Sequence, residues 1–266
     1  MNDHPIPTLI YKIIKSLRAE HRPALIGVGG AQGSGKSYAS RLLEAANRTR
    51  FAHFSLDDIY LTRAERTQLA AEVHPLCITR GPPGTHDLDL ADRLIEALDT
   101  ASPATHTPLP RFDKAKDDRA PKSEWPVFTG RPEAILVDGW CMGALPLDPA
   151  GLGPPINALE REEDADGAWR RFLAAELADD YQDFFAAFDA LIYLQAPNWE
   201  IVRAWRGQQE AETLGRPLTA AENEALDRFV MHYERVTRAM LQGHHSAQWI
   251  VHLDEARNVV RIEERR

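Results

Sequence analysis

The sequence has little cysteine and no excess of positive charge. Its 266 residues include only two cysteines, Cys77 and Cys141, and these form no C-x-x-C motif. This excludes a disulfide-based scaffold, and a reduced, cytoplasmic setting is expected. The net charge is −9, from 31 lysines and arginines against 40 aspartates and glutamates. An acidic chain has no general attraction for nucleic acid or anionic lipid, so neither is expected as a partner.

Long apolar runs are also missing. No stretch approaches the roughly 20 apolar residues that a transmembrane helix needs, and the first residues lack the layout of a signal peptide. Apolar residues still make up 44% of the chain, which is enough for a packed core. We therefore expect one domain over residues 1–266 with no membrane span.

One glycine-rich segment carries a specific signal. Residues 30–37 match the phosphate-loop pattern G-x-x-x-x-G-K-[ST], between an apolar, strand-like run at 24–28 and a helical pattern. The main-chain amides of such a loop form an anion site at a helix N-terminus. We expect Lys36 to reach the β- and γ-phosphates and Ser37 to ligate Mg²⁺. The predicted ATP-binding residues are Gly30, Ala31, Gln32, Gly33, Ser34, Gly35, Lys36, Ser37 and Tyr38.

Strand and helix patterns alternate along the chain, which predicts an α/β fold with a doubly wound, mostly parallel sheet flanked by helices. Strands are expected at 24–28, 51–56, 134–140, 191–194 and 249–253, the last closing the sheet. Residues 1–22 should hold an N-terminal helix and 198–216 a helical lid region. Residues 146–166 are expected to be a surface excursion, followed by one long helix with an aromatic core face. In such sheets ligands bind at the carboxyl ends of strands.

The acids at predicted strand ends favour phosphoryl transfer over hydrolysis. Asp138 fits the carboxylate that accompanies Mg²⁺, but Gly139 follows it where hydrolytic ATPases usually have a second acid. The guanine-reading pattern Asn-Lys-x-Asp is absent as well. Asp57, after the second strand, is the candidate base for an acceptor hydroxyl. The alternative is that Asp57 or Asp58 only caps the next turn.

Six blocks of residues, in order, carry a resemblance to a known family. They are residues 30–37, 56–62, 80–87, 109–114, 138–143 and Trp205-Arg206. Together the blocks resemble the D-glycerate 3-kinase family, within the uridine kinase, phosphoribulokinase and pantothenate kinase group of phosphate-loop kinases. The likeness runs from about residue 24 to 241.

The resemblance implies roles for further residues. Asp57 matches the group's base, and Asp87 matches an acid that holds acceptor hydroxyls, although it also fits a helix cap. Arg203 and Arg206 match lid arginines that close on the phosphates, with Arg206 and Lys36 joining Asp57 in the transfer itself. A glycerate carboxylate needs a cation, for which Arg119 is favoured. The full set of acceptor-site candidates is Asp58, Tyr60, Arg80, His86, Asp87, Asp113, Lys114 and Arg119.

Some positions depart from the family pattern. Phe112 stands where tyrosine is usual, the glycine-containing segment before Arg119 is shortened, and Asp138 replaces glutamate. The sequence thus predicts an ATP- and Mg²⁺-dependent kinase acting on a hydroxyl of glycerate or a similar small polar acid. Two alternatives stay open at this point: a nucleotide-binding regulatory protein that kept the kinase fold, and a nucleoside kinase acting on a uridine-like substrate.

Overall fold

Helices and strands alternate along the chain. The computed structural model describes residues 4–17, 22–148 and 151–265. The helices are α1 Pro5–Leu17, α2 Lys36–Ala46, α3 Arg63–Glu72, α4 Leu88–Asp99, α5 Ala158–Glu163, α6 Ala168–Ala178, α7 Asp180–Ala186, α8 Trp199–Leu214 and α9 Ala220–Leu241. The strands are β1 Ala24–Gly30, β2 Phe51–Ser55, β3 His106–Pro108, β4 Phe112–Asp113, β5 Asp118–Arg119, β6 Val127–Thr129, β7 Ala134–Gly139, β8 Ala190–Gln195, β9 Trp249–Leu253 and β10 Val259–Glu264.

Six strands form the central sheet, in the order β10-β9-β8-β1-β7-β2. The five strands from β9 to β2 run parallel, and β10 pairs antiparallel with β9. The predicted doubly wound, mostly parallel sheet is confirmed. Strand β7 lies between β1 and β2, and Asp138 is in register with Val28 on one side and Ser55 on the other. The ends of these three strands therefore meet.

The sheet is covered by helices on both faces. Successive residues of β1 alternate between two core clusters: Leu25 packs with residues of α4, α7 and α9, whereas Ile26 packs with residues of α1 and α2. Because both faces are buried, the inner strands read as continuous apolar runs. This explains why they could be located from sequence.

Side-chain caps mark the starts of several helices. Thr62 with Glu65 and Thr219 with Glu222 form capping boxes at α3 and α9. Asp87 caps α4 by accepting a hydrogen bond from the Leu90 amide. In the N-terminal segment, α1 covers Pro5–Leu17, and positions 1–3 and 18–21 of the predicted helix lie outside the described residues.

Two predictions about element boundaries were wrong. β9 does not close the sheet, because β10 adds an antiparallel edge strand whose outward residues are exposed. The long aromatic helix is instead two helices, α6 and α7, which meet at Asp179, a residue with non-helical dihedrals. Its aromatic residues still belong to the core, as expected.

The stretch 146–166, predicted as a surface excursion, is not wholly external. It contains α5, and the side chains of Leu159, Glu160 and Asp164 are buried. Arg235 and Arg170 pair with these two acids, at 2.6 Å to Glu160 and 2.8 Å to Asp164. Ion pairing thus allows acid-rich sequence to be buried, which composition alone does not reveal. Within the described residues, no helix has the length and apolar character to cross a membrane.

Candidate active site

The phosphate loop has the backbone geometry that its glycines predict. It leaves the end of β1, and Gly35 caps α2 with φ of 90°, in the left-handed region that glycine tolerates best. Gly33 also has positive φ, and a Cβ there would lie 2.6 Å from the Cβ of Trp205 on α8. Glycine at position 33 therefore allows α8 to pack directly on the loop.

The polar side chains of the loop are poised for a ligand. The Lys36 ammonium lies 3.5 Å from the Ala31 carbonyl, and burial lowers its pKa despite the nearby charges of Asp138 and Asp57. Gln32 Oε1 and Ser34 Oγ are buried, and neither has a partner among the described residues. Buried polar atoms normally have partners, so a bound anion with its water is a fitting complement for this loop.

Two side-chain oxygens beside the loop could hold a metal ion. The Ser37 hydroxyl donates a 2.6 Å hydrogen bond to Asp138, which is fully buried at the end of β7. Mg²⁺ is commonly held by one or two protein oxygens together with substrate phosphates. The described residues contain no group of three metal-binding acids, histidines or cysteines. These two oxygens suit Mg²⁺ brought in with a triphosphate.

His53 supports this pair from behind, and sequence reasoning missed it. Its Nε2 lies 2.6 Å from Asp138 Oδ2, and its Nδ1 lies 3.4 Å from Glu44 on α2. Burial opposes a charge on the ring, but the hydrogen bond to Asp138 and the nearby Glu44 carboxylate raise the pKa of His53 to about 9. A histidine within the apolar run of β2 was the available signal. The imidazolium fixes one Asp138 oxygen and leaves the other facing Ser37.

Asp57 lies just past β2 with its carboxylate accessible. It accepts hydrogen bonds of 2.6 Å from Lys114 and from the Tyr60 hydroxyl, and 34% of its side-chain surface is exposed. Burial favours its neutral form, but the charges of Lys114 and Lys36 prevail and lower the pKa of Asp57 well below its ordinary value. The side chain that caps this turn belongs to Ser55. Asp57 is therefore an ionised carboxylate within the electrostatic reach of Lys36.

Two acceptor-site candidates have structural partners. Asp58 accepts the Ser55 amide as part of a capping box and forms a 2.8 Å ion pair with Arg111. Asp113 accepts the backbone amides of residues 115 and 116 in the tight turn between β4 and β5. These contacts favour the capping alternative for Asp58 and a turn-forming role for Asp113.

The remaining candidates surround Tyr60. Arg119 donates from one terminal nitrogen to the Tyr60 carbonyl and to Asp87, each at 2.9 Å. The ring of His86 lies 5.1 Å from that of Tyr60, and Phe112 packs edge-on against it from another side. Arg80 is ion-paired with Asp117 and lies over the Phe112 ring. Three chain segments, around Tyr60, at residues 80–87 and at residues 112–119, thus converge beside Asp57.

His86 does not provide a cation for the acceptor. Its side chain is buried, and burial lowers the pKa of His86 to about 4. The imidazole is therefore neutral at physiological pH.

The two predicted lid arginines are both paired with acids, one on α9 and one on α8. Arg203 contacts Asp227 on α9, and Arg206 forms a 2.7 Å pair with Glu210, one turn further along α8. Helix α8 itself begins at the Asn198 cap and ends at Gly215, as predicted. A role on the phosphates would require both arginines to exchange these partners.

A second residue that sequence reasoning missed connects the last hairpin to the loop. Arg257, in the turn between β9 and β10, donates a 2.6 Å hydrogen bond to the Gly33 carbonyl. Its guanidinium also lies 4.9 Å from the Trp205 ring centroid. No local pattern distinguishes this arginine from a surface charge, because its partner lies 224 positions away.

A large cavity opens beside this contact. It has a volume of about 790 Å³ and lies between the start of α1, the first turns of α2 and the β9–β10 turn. Tyr38, the residue after Ser37, is 60% exposed in its wall, and Arg257 and Asn258 line the far side. The size falls within the roughly 300–1,000 Å³ of small-molecule sites.

Comparisons with known proteins identify the class of this site. No family model matches the chain. An uncharacterized kinase, mug58, of Schizosaccharomyces pombe is 32% identical over 239 residues, which cover 85% of each chain. The structure of D-glycerate 3-kinase from Cryptococcus neoformans matches with a TM-score of 0.76 at 22% identity, over 98% of this chain and 99% of that one. A putative fructose transport system kinase from Silicibacter sp. TM1040 matches with a TM-score of 0.60 at 19% identity, over 92% and 97%.

The resemblance to the D-glycerate 3-kinases is thus confirmed in the fold. The relationship to mug58 spans most of both chains. The chain belongs to a family of phosphate-loop kinases that includes mug58 of Schizosaccharomyces pombe.

Proposed function

We propose that this protein transfers the γ-phosphate of ATP to a hydroxyl of glycerate or a similar small polar acid. The observation that carries the proposal is the Asp57 carboxylate, which is ionised, accessible, and close enough to Lys36 for the lysine charge to lower its pKa. A base in that position serves an acceptor hydroxyl. The structural likeness to a D-glycerate 3-kinase supports glycerate as the first compound to test.

The residues have distinct tasks in this reaction. The amides of the phosphate loop and the Lys36 ammonium hold the β- and γ-phosphates. Ser37 and Asp138 would hold Mg²⁺, which would neutralise charge on the phosphate oxygens. Asp57 orients the acceptor hydroxyl and takes its proton late, as the transferred group becomes metaphosphate-like. Lys114 leaves Asp57 as the hydroxyl arrives, since both compete for the same carboxylate.

The cavity beside the loop is the proposed place for the nucleotide base. Tyr38 immediately follows Ser37, so a triphosphate on the loop brings its nucleoside to the first turn of α2. The exposed Tyr38 ring offers a face for stacking, and Asn258 offers amide donors and acceptors. Tyr38→Ala is expected to raise the KM for ATP several-fold and leave the acceptor KM unchanged.

A screen with γ-labelled ATP tests the proposal. Candidate acceptors are glycerate, other hydroxy acids, glycerol, uridine and pantothenate, with Lys36→Ala as the inactive control. Transfer to a small hydroxy acid far above the rate of ATP hydrolysis supports the proposal. Transfer to uridine alone would identify a nucleoside kinase instead. Tight nucleotide binding without transfer to any acceptor would identify a regulatory protein.

A further inference from the structure

A buried N–H group without a partner lies in the acceptor region. His86 is 6% exposed, and its Nδ1 lies 2.5 Å from the Tyr181 hydroxyl. That hydroxyl accepts a 3.1 Å hydrogen bond from the Gly84 amide, and among the described residues His86 Nδ1 is the acceptor available for its own proton. Nδ1 is therefore the acceptor, and the neutral ring carries its proton on Nε2. Nε2 is buried and has no partner among the described residues.

A second unpartnered donor lies nearby. Arg119 uses one terminal nitrogen for Asp87 and Tyr60, while its Nε–H is buried and has no partner among the described residues. Both donors adjoin Tyr60, because the His86 ring stacks near the Tyr60 ring and Arg119 bonds to the Tyr60 carbonyl. A buried donor without an acceptor costs free energy. Two such donors around one residue point to an oxygen-bearing ligand.

The other cations of the region are already engaged. Arg80 is paired with Asp117, Lys114 with Asp57, and Arg111 with Asp58. Arg119 also has an acid partner, Asp87, but this pair leaves its Nε–H unused. The position of His86 is fixed by hydrogen bonds on both sides, from Leu61 to the Thr85 carbonyl and from Asp87 to the Ile59 carbonyl. Such a fixed donor suits selective recognition.

We propose that His86 Nε2–H and Arg119 Nε–H together bind the carboxylate of the acceptor, while Tyr60 connects this subsite to Asp57. This inference rests on the proposed kinase function and deepens it. A carboxylate has two oxygens and four acceptor positions, which is enough to accept from both donors. A neutral ester or alcohol offers weaker acceptors and no charge to the guanidinium. The site therefore selects acids by two donors, only one of which is charged.

The test compares an acid with its neutral analogue. His86→Phe keeps an aromatic ring against Tyr60 and removes the N–H, and glycerate is compared with its methyl ester. We expect the KM for glycerate to rise about 10- to 100-fold in the variant. The KM for the ester and for ATP should stay within about twofold, with kcat largely kept. Equal changes for acid and ester, or no change for either, would overturn the inference.

A matched variant controls for the loss of a buried histidine. His232 on α9 is 5% exposed and packs edge-on against Trp169, away from the acceptor region. Its Nδ1 faces the Phe229 carbonyl and so carries the proton, which leaves a lone pair rather than an N–H at Nε2. His232→Phe should lower stability in the same way as His86→Phe without changing the preference for acid over ester. A preference that changed equally in both variants would overturn the inference.

Direct binding provides a readout that does not depend on turnover. Lactate keeps the carboxylate, and in the absence of ATP it can occupy the subsite without being phosphorylated. In ¹⁵N NMR spectra the free protein should show His86 in its Nε2–H form, and lactate should shift the Nε2–H resonance in the wild type. An Nδ1–H form, or no shift with saturating lactate, would contradict the inference even if the kinase reaction is confirmed. Absence of transfer to every acceptor, with the lactate shift present, would refute the kinase reaction alone.

Discussion

Asp57 is the residue on which the proposed chemistry depends. Asp57→Asn keeps the size of the side chain and removes the charge that accepts the hydroxyl proton. We expect kcat to fall about 10²- to 10⁴-fold, since general base catalysis contributes on that order. ATP binding should persist because the phosphate loop is unchanged. Steady-state kinetics with the accepted hydroxy acid, together with calorimetric titration of ATP, measure the two effects separately.

The neighbouring acid is a matched control for this substitution. Asp58 caps the turn after β2 and pairs with Arg111, so Asp58→Asn removes a structural contact rather than the base. It should lower the melting temperature by a few degrees and change kcat less than about fivefold. Comparable losses of kcat in the two variants would contradict the assignment of Asp57 as the base.

His53 is expected to act on the metal through Asp138. His53→Gln removes the imidazolium at 2.6 Å from Asp138 and frees the carboxylate to rotate. Outer-shell partners of metal ligands typically affect metal affinity or activity by about 10- to 100-fold. We therefore predict at least a tenfold increase in the Mg²⁺ concentration needed for half-maximal activity. Titration of Mg²⁺ at a fixed concentration of free ATP measures it.

The other partner of His53 gives a graded comparison. Glu44 lies 3.4 Å from Nδ1 and is partly exposed. Glu44→Gln should therefore change the Mg²⁺ requirement only slightly. If His53→Gln needed no more Mg²⁺ than the wild type, His53 would have no role in positioning Asp138 for the metal.

At the scale of elements, the turn between β9 and β10 stabilises the phosphate loop through Arg257. Arg257→Ala removes the hydrogen bond to the Gly33 carbonyl and the contact with Trp205. Hydrogen bonds of charged groups contribute about 1.5–3 kcal/mol. Because this hydrogen bond holds the phosphate loop, part of the lost free energy should appear as weaker ATP binding. We predict a roughly tenfold higher KM for ATP with a small change in the acceptor KM. Initial-rate kinetics over a range of ATP concentrations check this.

The same hairpin supplies the control for Arg257. Arg261 on β10 is largely exposed and pairs with Glu263 on its own strand. Arg261→Ala should leave both KM values unchanged, because exposed ion pairs contribute little. If both arginines had the same effect on ATP, hairpin stability would be the cause rather than contact with the loop.

For the whole molecule, buried histidines determine how stability depends on pH. Burial lowers the pKa of His86, His232 and His245 to about 4 each, whereas unfolded histidines titrate near 6.5. Between these values the unfolded chain binds more protons, so the free energy of unfolding decreases as pH falls. The slope is about 1.4 kcal/mol per pH unit for each histidine. Their stabilising effect is complete only above about pH 6.5.

His53 has the opposite dependence. Its pKa in the folded protein is raised to about 9, so its contribution is complete below pH 6.5 and disappears as pH rises through 9. Together the four histidines predict maximal stability near pH 6.5–7. Urea unfolding at pH 5, 6.7 and 9 measures this dependence. In His232→Gln the free energy of unfolding should fall less steeply between pH 6.5 and 5, because one histidine fewer takes up a proton on unfolding. A stability that does not change from pH 5 to 6.7 would contradict the neutral, buried state of these residues.

Much of this protein could be predicted from its sequence because the relevant forces act over short distances along the chain. The phosphate loop needs glycines and a lysine within eight residues, the inner strands need apolar runs, and helix starts need caps three residues apart. Asp57 and Asp138 could be found because each lies at or near the carboxyl end of such a strand. The loop, the order of elements and the two acids were determined at this level.

Tertiary structure decided everything that depends on partners distant in sequence. His53 next to Asp138, Arg257 at Gly33 and the burial of Glu160 join positions that are 75 to 224 residues apart. The tautomer of His86 depends on Tyr181, 95 residues away. A side chain's charge, burial and free hydrogen-bonding positions depend on the groups that surround it in space, and only the folded chain brings those groups together.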